Sequence, residues 1–176
     1  ESARKAAPDA RVLGVSVEPM LNRPMARECM VGIARDSVFG PVISFGAGGT
    51  AVEIFADSQV ALPPLNDYLS RELIRGTRAA RFLKQFRNLP EADVGKLTEV
   101  LQRISEIACE LPEVQELDIN PLLVSPERLL ALDARVLLYD RDVTADQLPQ
   151  LAIRPYPRRY IQAWTMKNGE GITIRP

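Results

Sequence analysis

The sequence predicts an α+β fold: an antiparallel sheet with helices packed on one of its faces. Three observations lead there. Short runs rich in branched residues are joined by turn signals only a few residues long, too short for parallel crossovers. A long middle stretch carries apolar residues at three- and four-residue steps, the mark of one-sided helices. Two more extended runs then return the chain to strand periodicity.

In order, Arg11 to Val17 alternates and is read as a first strand. Asn22-Arg23-Pro24 signals a turn, and Arg27 to Ala34 (RECMVGIA) is a second strand, broken by Asp36 to Pro41. Pro41 to Phe45 forms a third strand, the cluster Gly46-Ala47-Gly48-Gly49 follows, and Ala51 to Phe55 forms a fourth. Leu65 to Lys84 is one helix or two abutting ones, with Asn66 or Asp67 as cap. A longer helix runs from about Glu91 to Leu111, with Val94, Leu97, Leu101, Ile104 and Ala108 on its apolar face and Pro112 ending it. Val114 to Ile119 is a strand that leaves the sheet at Asn120-Pro121, and Leu129 to Leu138 is another. Asp140 to Pro157 reads as a linker. Ile161 to Met166 and Gly171 to Ile174 flank Asn168-Gly169 as a hairpin, which a following domain would have to support.

Bulk properties narrow the function. Apolar residues make up 46% and charged residues 26%, the profile of an ordinary globular chain. The net charge of -1 offers no general attraction for nucleic acid or an anionic membrane. Cys29 and Cys109 lack metal or redox spacing and are expected as buried free thiols, which fits a reducing cytoplasm. No apolar run approaches the ~20 residues that cross a bilayer. The segment has no histidine, which removes histidine bases, zinc–histidine sites and phosphohistidine from its own residues. Without an initiating methionine, and with an apparent strand just before Pro176, both ends look cut from something longer.

Three groups of residues stand out. The glycine cluster either makes a strained hairpin or presents backbone N–H groups to phosphate, with Glu53 and Asp57 spaced to turn a carboxylate back toward it. In Glu116-Leu117-Asp118-Ile119-Asn120-Pro121, strand alternation sets Glu116, Asp118 and Asn120 on one face and Leu117 and Ile119 toward the core. Those side chains would repel one another unless relieved. Mg²⁺ would do so, and Asp133 in the apolar Ala131-Leu132-Asp133-Ala134-Arg135 stretch adds a further acid. A salt bridge to Arg135, or a capping role for Asn120, is the alternative. The basic series Arg71, Arg75, Arg78, Arg81, Lys84 and Arg87 lines one helical face, either solvated or in contact with a phosphate or coenzyme.

Five segments in order, GVSVEPML (14–21), RECMVGIARDSVFGPVISFGAGGTAVEIFAD (27–57), LPPLN (62–66), ELDINPLLV (116–124) and ALDAR (131–135), resemble the carboxyl-terminal part of the ATP-grasp domain of ADP-forming acyl-CoA synthetases. That resemblance implies ATP/ADP, Mg²⁺ and, in the parent protein, CoA or acyl-CoA. It implies that Val17, Glu18 and Glu28 lie on the nucleoside side, that Gly46, Gly48 and Gly49 with Glu53 face phosphoryl transfer, and that Asn120, Asp133 and Asp118 hold the metal. Glu53 is the one catalytic candidate. The family's first ATP-grasp subdomain would precede Glu1, so half a site is expected, inactive alone.

The tail from Ile153 to Pro176 resembles the junction in fused bacterial proteins where such a region precedes a GNAT-type protein lysine acetyltransferase. The implied organisation is an ATP-grasp subdomain over 1–139, a linker over 140–160 and the start of the acetyltransferase over 161–176. Expected partners are the amino-terminal ATP-grasp subdomain and CoA-binding domains of the parent and the GNAT domain. No nucleic acid or membrane is expected, while a face bared by truncation would allow a homo-oligomer. Two functions follow from the resemblance: an ADP-forming acyl-CoA (acetyl-CoA) synthetase region, or a non-catalytic module that senses nucleotide or acyl-CoA and controls the acetyltransferase.

Overall fold

The computed structural model describes residues 11, 14, 17, 25–49, 57–85, 89–140, 150–153 and 162–174. The elements are β1 (Arg27–Asp36), β2 (Gly40–Ala47), β3 (Ser58–Ala61), α1 (Asp67–Arg75), α2 (Ala79–Leu83), α3 (Val94–Glu110), β4 (Val114–Val124), β5 (Leu129–Ala131), β6 (Ala134–Leu138), β7 (Gln162–Thr165) and β8 (Gly171–Ile174). The sheet runs β3-β2-β1-β4-β5, with β6 also paired to β4, and all its pairings are antiparallel. β7 and β8 form a separate two-stranded hairpin.

β1 lies at the centre and sorts its residues by parity. Cys29, Val31 and Ile33 are buried against the helices, whereas Glu28 and Ala34 are exposed on the opposite, open face. In β2, Ile43 and Phe45 are fully buried and extend the same helix-facing surface. Among the described residues the helices pack against this side: α3 touches β1, β2 and β4, α1 touches β2 and β3, and α2 touches β1. The face of α3 carries Leu97, Leu101, Ile104 and Ala108 into the core, as its spacing predicts. Leu101 is fully enclosed, so Leu101→Ala should cost about 2–5 kcal/mol of folding stability, measured by urea unfolding. A loss below about 1 kcal/mol would mean that α3 is not a core element.

Each helix has a local reason to begin where it does. The Asn66 side chain accepts from the Leu69 N–H at 2.8 Å, which settles the cap of α1. Asp93 accepts from the Lys96 N–H at 2.9 Å, so α3 starts at Val94. Lys96, bonded to the Asp93 carboxylate through both side chain and backbone, holds that carboxyl below the usual range.

Several expectations need correction. The strand from Val114 does not leave the sheet at Asn120-Pro121. It continues to Val124, and the register with β1 shifts between Cys29 and Val31 where Asn120-Pro121 forms a cis bond. A proline without an N–H is accommodated in a strand at such a bulge. The expected strand 129–138 is two strands, because the Leu132 N–H turns to the Pro121 carbonyl (3.0 Å) and the Asp133 carbonyl to the Asn120 N–H (3.2 Å). The basic series does not line one helix: α1 ends at Arg75, and Gly76 to Arg78 separate it from α2. Arg71 and Arg75 pair locally with Asp67 and Glu72. β3 is a strand the sequence reading did not anticipate. The strand expected over 51–55 lies outside the described residues. Of the strand expected over 11–17 only Arg11, Gly14 and Val17 are described, each exposed and outside any strand. No helix among the described residues is long and apolar enough to cross a membrane.

Candidate nucleotide and metal site

The glycine loop and the ELDINP strand, far apart in sequence, meet in space. The Gly49 N–H donates to the Asn120 side-chain oxygen at 2.9 Å. The Gly48 N–H donates to the Glu28 carbonyl at 2.8 Å, which ties the loop back to the start of β1. Both glycines are required by shape. A Cβ on Gly48 would strike the Cys29 backbone, and Gly49 sits at φ 62° with the Glu28 carboxylate packed against it. Gly46, inside β2, is held against the Asp57 carbonyl. These are positions where only glycine allows so close an approach.

Asn120 is aimed by the bulge. Its backbone N–H is bonded to the Asp133 carbonyl, so Asn120 and Asp133 are neighbours across the β4–β5–β6 junction. Asp118, half-buried, stands opposite Gly32 on β1 and Arg135 on β6. As expected, Leu117 is buried while Glu116 and Asp118 are only half-buried. Arg135 forms its ion pair with Glu116, at 3.3 Å, rather than with Asp133. Among the described residues no three His, Cys, Asp or Glu side chains are grouped to hold a metal. Asn120 lies outside that count and brings an amide oxygen. With one lone pair engaged by Gly49, a second remains available to a cation. Hard oxygen donors on adjoining segments, with only one or two carboxylates, fit a Mg²⁺ ion that keeps water and substrate phosphate in its shell.

Of the other predicted site residues, Val17 is almost fully exposed and Glu28 is exposed beside the loop. Glu18 and Glu53 lie outside the described residues. Asp57 does not turn toward the loop with its carboxylate. Its two oxygens accept from the Arg78 and Ala79 N–H groups at 2.8 and 2.7 Å and so cap α2, while its carbonyl takes the Ala47 N–H.

Sequence reasoning missed Arg27. Its guanidinium is buried and donates to the carbonyls of Met25, Phe82, Lys84 and Pro90 at 2.6–3.3 Å, which fastens the end of α2 to β1. Arg35 does the same for α3, donating to the Leu111 and Val114 carbonyls. Cations near helix ends suit the carbonyls exposed there. The signal was available: Arg27 shares parity with Cys29, Val31 and Ile33, so strand alternation places it on the buried face.

Cys29 is buried beside Arg27, and burial pushes its thiol up to about 12, with the Arg27 charge only partly offsetting this. Cys109 is also raised by burial but is half-buried. At pH 8 both stay protonated, so iodoacetamide should label Cys109 slowly and Cys29 more slowly still. Equal labelling of the two in the folded protein, read by peptide mass spectrometry, would contradict this burial.

The glycine loop thus joins the Asn120 strand on an antiparallel sheet backed by helices. Residues 1–138 match the ATP-grasp domain family, and the chain belongs to it, in the group that includes the ADP-forming acetyl-CoA synthetases. The beta subunit of acetate–CoA ligase (ADP-forming) I from Pyrococcus furiosus is 37% identical over 138 residues, covering 78% of this chain and 59% of that protein. A crystal structure of a Pyrococcus horikoshii protein superposes with a TM-score of 0.69 at 33% identity, over 79% of this chain and 59% of that one. The acetyl-coenzyme A synthetase 1 of Ca. Korarchaeum cryptofilum, solved with coenzyme A and Mg-AMPPCP, gives a TM-score of 0.62 at 33% identity, over 64% and 53% of the two chains. This chain therefore spans little more than half the length of these relatives.

Proposed function

We propose that the chain is the Mg·nucleotide-holding part of an ADP-forming acyl-CoA synthetase. The observation that carries this reading is the Gly49 N–H to Asn120 bond, which brings a phosphate-type loop and a metal-type strand onto one site. Asn120 and Asp133, with Asp118 nearby, would hold Mg²⁺, and Gly46, Gly48 and Gly49 would face the phosphates. Glu28, Glu18 and Val17 belong to the nucleoside side, and Glu53 is the candidate near the transferred phosphoryl group. The metal would neutralise charge on the phosphates as a phosphoryl group moves. The protein's own part is to fix the loop's shape in advance: the Gly48 and Gly49 N–H groups are spent on Glu28 and Asn120, which holds the loop against β1 and β4 before any ligand arrives.

The remaining half of the site would come from an amino-terminal ATP-grasp subdomain, and CoA from CoA-binding domains of the same parent. A second reading draws on the β7–β8 hairpin, which stands as its own sheet. In it, residues 161–176 begin a GNAT-type acetyltransferase, and the ATP-grasp region senses nucleotide or acyl-CoA without turnover.

The deciding experiment mixes the full-length protein with Mg·ATP, CoA and a panel of short carboxylic acids and measures ADP. Acid-dependent ADP supports the synthetase. Its absence, in a protein that still acetylates lysine, supports the regulatory reading.

A further inference from the structure

We propose that the cleft between α2 and the β1–β2 pair binds a small phosphate-ester anion carrying an apolar arm. The cavity there measures about 410 Å³, within the roughly 300–1,000 Å³ range of small-molecule pockets. Much of its wall is apolar: Cys29, Ala47, Ala79, Phe82 and Leu83. A second hollow of about 320 Å³, bordered by Arg75 and Lys84, shares Arg78 and Arg81 with the first. The two arginines thus stand between an apolar chamber and a basic one.

The charges at the cleft are not equivalent. Arg27 has its guanidinium committed to backbone carbonyls. The Asp57 carboxylate is spent on the N–H groups that begin α2, and the Glu28 carboxylate packs against Gly49. Arg78 and Arg81, in contrast, form no ion pair with any described residue. Among the described residues the charge left to face a ligand is therefore positive, and guanidinium is the group best suited to fork onto a phosphate. α2 is also held at both ends, by Asp57 and by Arg27, so these side chains project from a fixed strap. The cleft opens where α2 meets the ends of β1 and β2, and shares only Glu28 and Gly48 with the residues assigned to the nucleotide.

Calorimetric titration of the full-length protein with butyl, hexyl and octyl phosphate, below their aggregation concentrations, tests the proposal. Affinity should rise with arm length, by about fourfold for each methylene that leaves water, until the cavity is full. Arg78→Ala with Arg81→Ala should weaken octyl phosphate binding about tenfold or more with an unchanged Tm, and Phe82→Ala should flatten the dependence on length. Inorganic phosphate binding as tightly as octyl phosphate would overturn the proposal, as would full affinity in the double arginine variant. Adsorption to phosphatidate vesicles without binding of the soluble esters would also overturn it, assigning the cations to a lipid surface instead. EDTA or Asn120→Ala should leave octyl phosphate binding intact, so failure here and failure of the Mg·nucleotide reading are separable.

Discussion

Asn120→Ala in the full-length protein is expected to raise the Kd for Mg·ATP by about tenfold or more, roughly 1.4 kcal/mol or above. The substitution removes two things at once: an oxygen offered to the metal, and the acceptor that holds the Gly49 N–H at 2.9 Å. Asn120→Asp separates them. It keeps an oxygen for Gly49 and strengthens the donor set for a hard cation, so nucleotide affinity should be largely retained. Asp133→Ala should weaken binding without altering the loop, since the Asp133 contact to Asn120 runs through its backbone carbonyl. Titration with a fluorescent ATP analogue, with and without Mg²⁺, reads all three variants. Unchanged Mg²⁺ dependence in both alanine variants would remove the metal assignment.

The second large effect is on the loop itself. Gly48→Ala should destabilise the protein by about 1–3 kcal/mol, as overpacking does where neighbours cannot move. The new methyl group would collide with the backbone of Cys29, which is itself locked by pairing to both Ala47 and Leu122. Gly49→Ala meets a different obstacle. A left-handed backbone costs a non-glycine residue about 1–2 kcal/mol, and the displaced neighbour is the flexible Glu28 side chain. The Glu28→Ala, Gly49→Ala pair should therefore be less damaging than the sum of its parts, whereas no side-chain deletion relieves Gly48→Ala. Thermal unfolding of the four variants decides this; strict additivity at 28 and 49 would refute the packing.

What could be read from the sequence was what depends on near neighbours. The alternation of RECMVGIA gave β1 its two faces, and the spacing from Leu97 to Ala108 gave α3 its buried side. The ATP-grasp architecture, legible from ordered segments, is what the fold displays. Contacts that close over long stretches of chain were not legible. Arg27 takes three of its four carbonyl partners 55 to 63 residues away, and Asn120 meets Gly49 across 71 residues. An Asn-Pro pair normally marks a strand end, and only the surrounding sheet makes it an interior bulge. Asp57 looked like an acid aimed at the loop because its helix-capping partners, Arg78 and Ala79, lie 21 and 22 residues further on, past the end of α1.

The parity of β1 limits how this segment can change length. Arg27 and Arg35 lie on one side and Glu28 on the other, with the core residues between the two arginines. Deleting or inserting one residue inside the strand would exchange the two sides downstream, sending Val31 and Ile33 to water and an acid toward the helices. Gains and losses in β1 can therefore be absorbed only two residues at a time, or at its ends. The neighbouring strand β4, which already accommodates an extra residue at Asn120-Pro121, is where the sheet takes up an odd one.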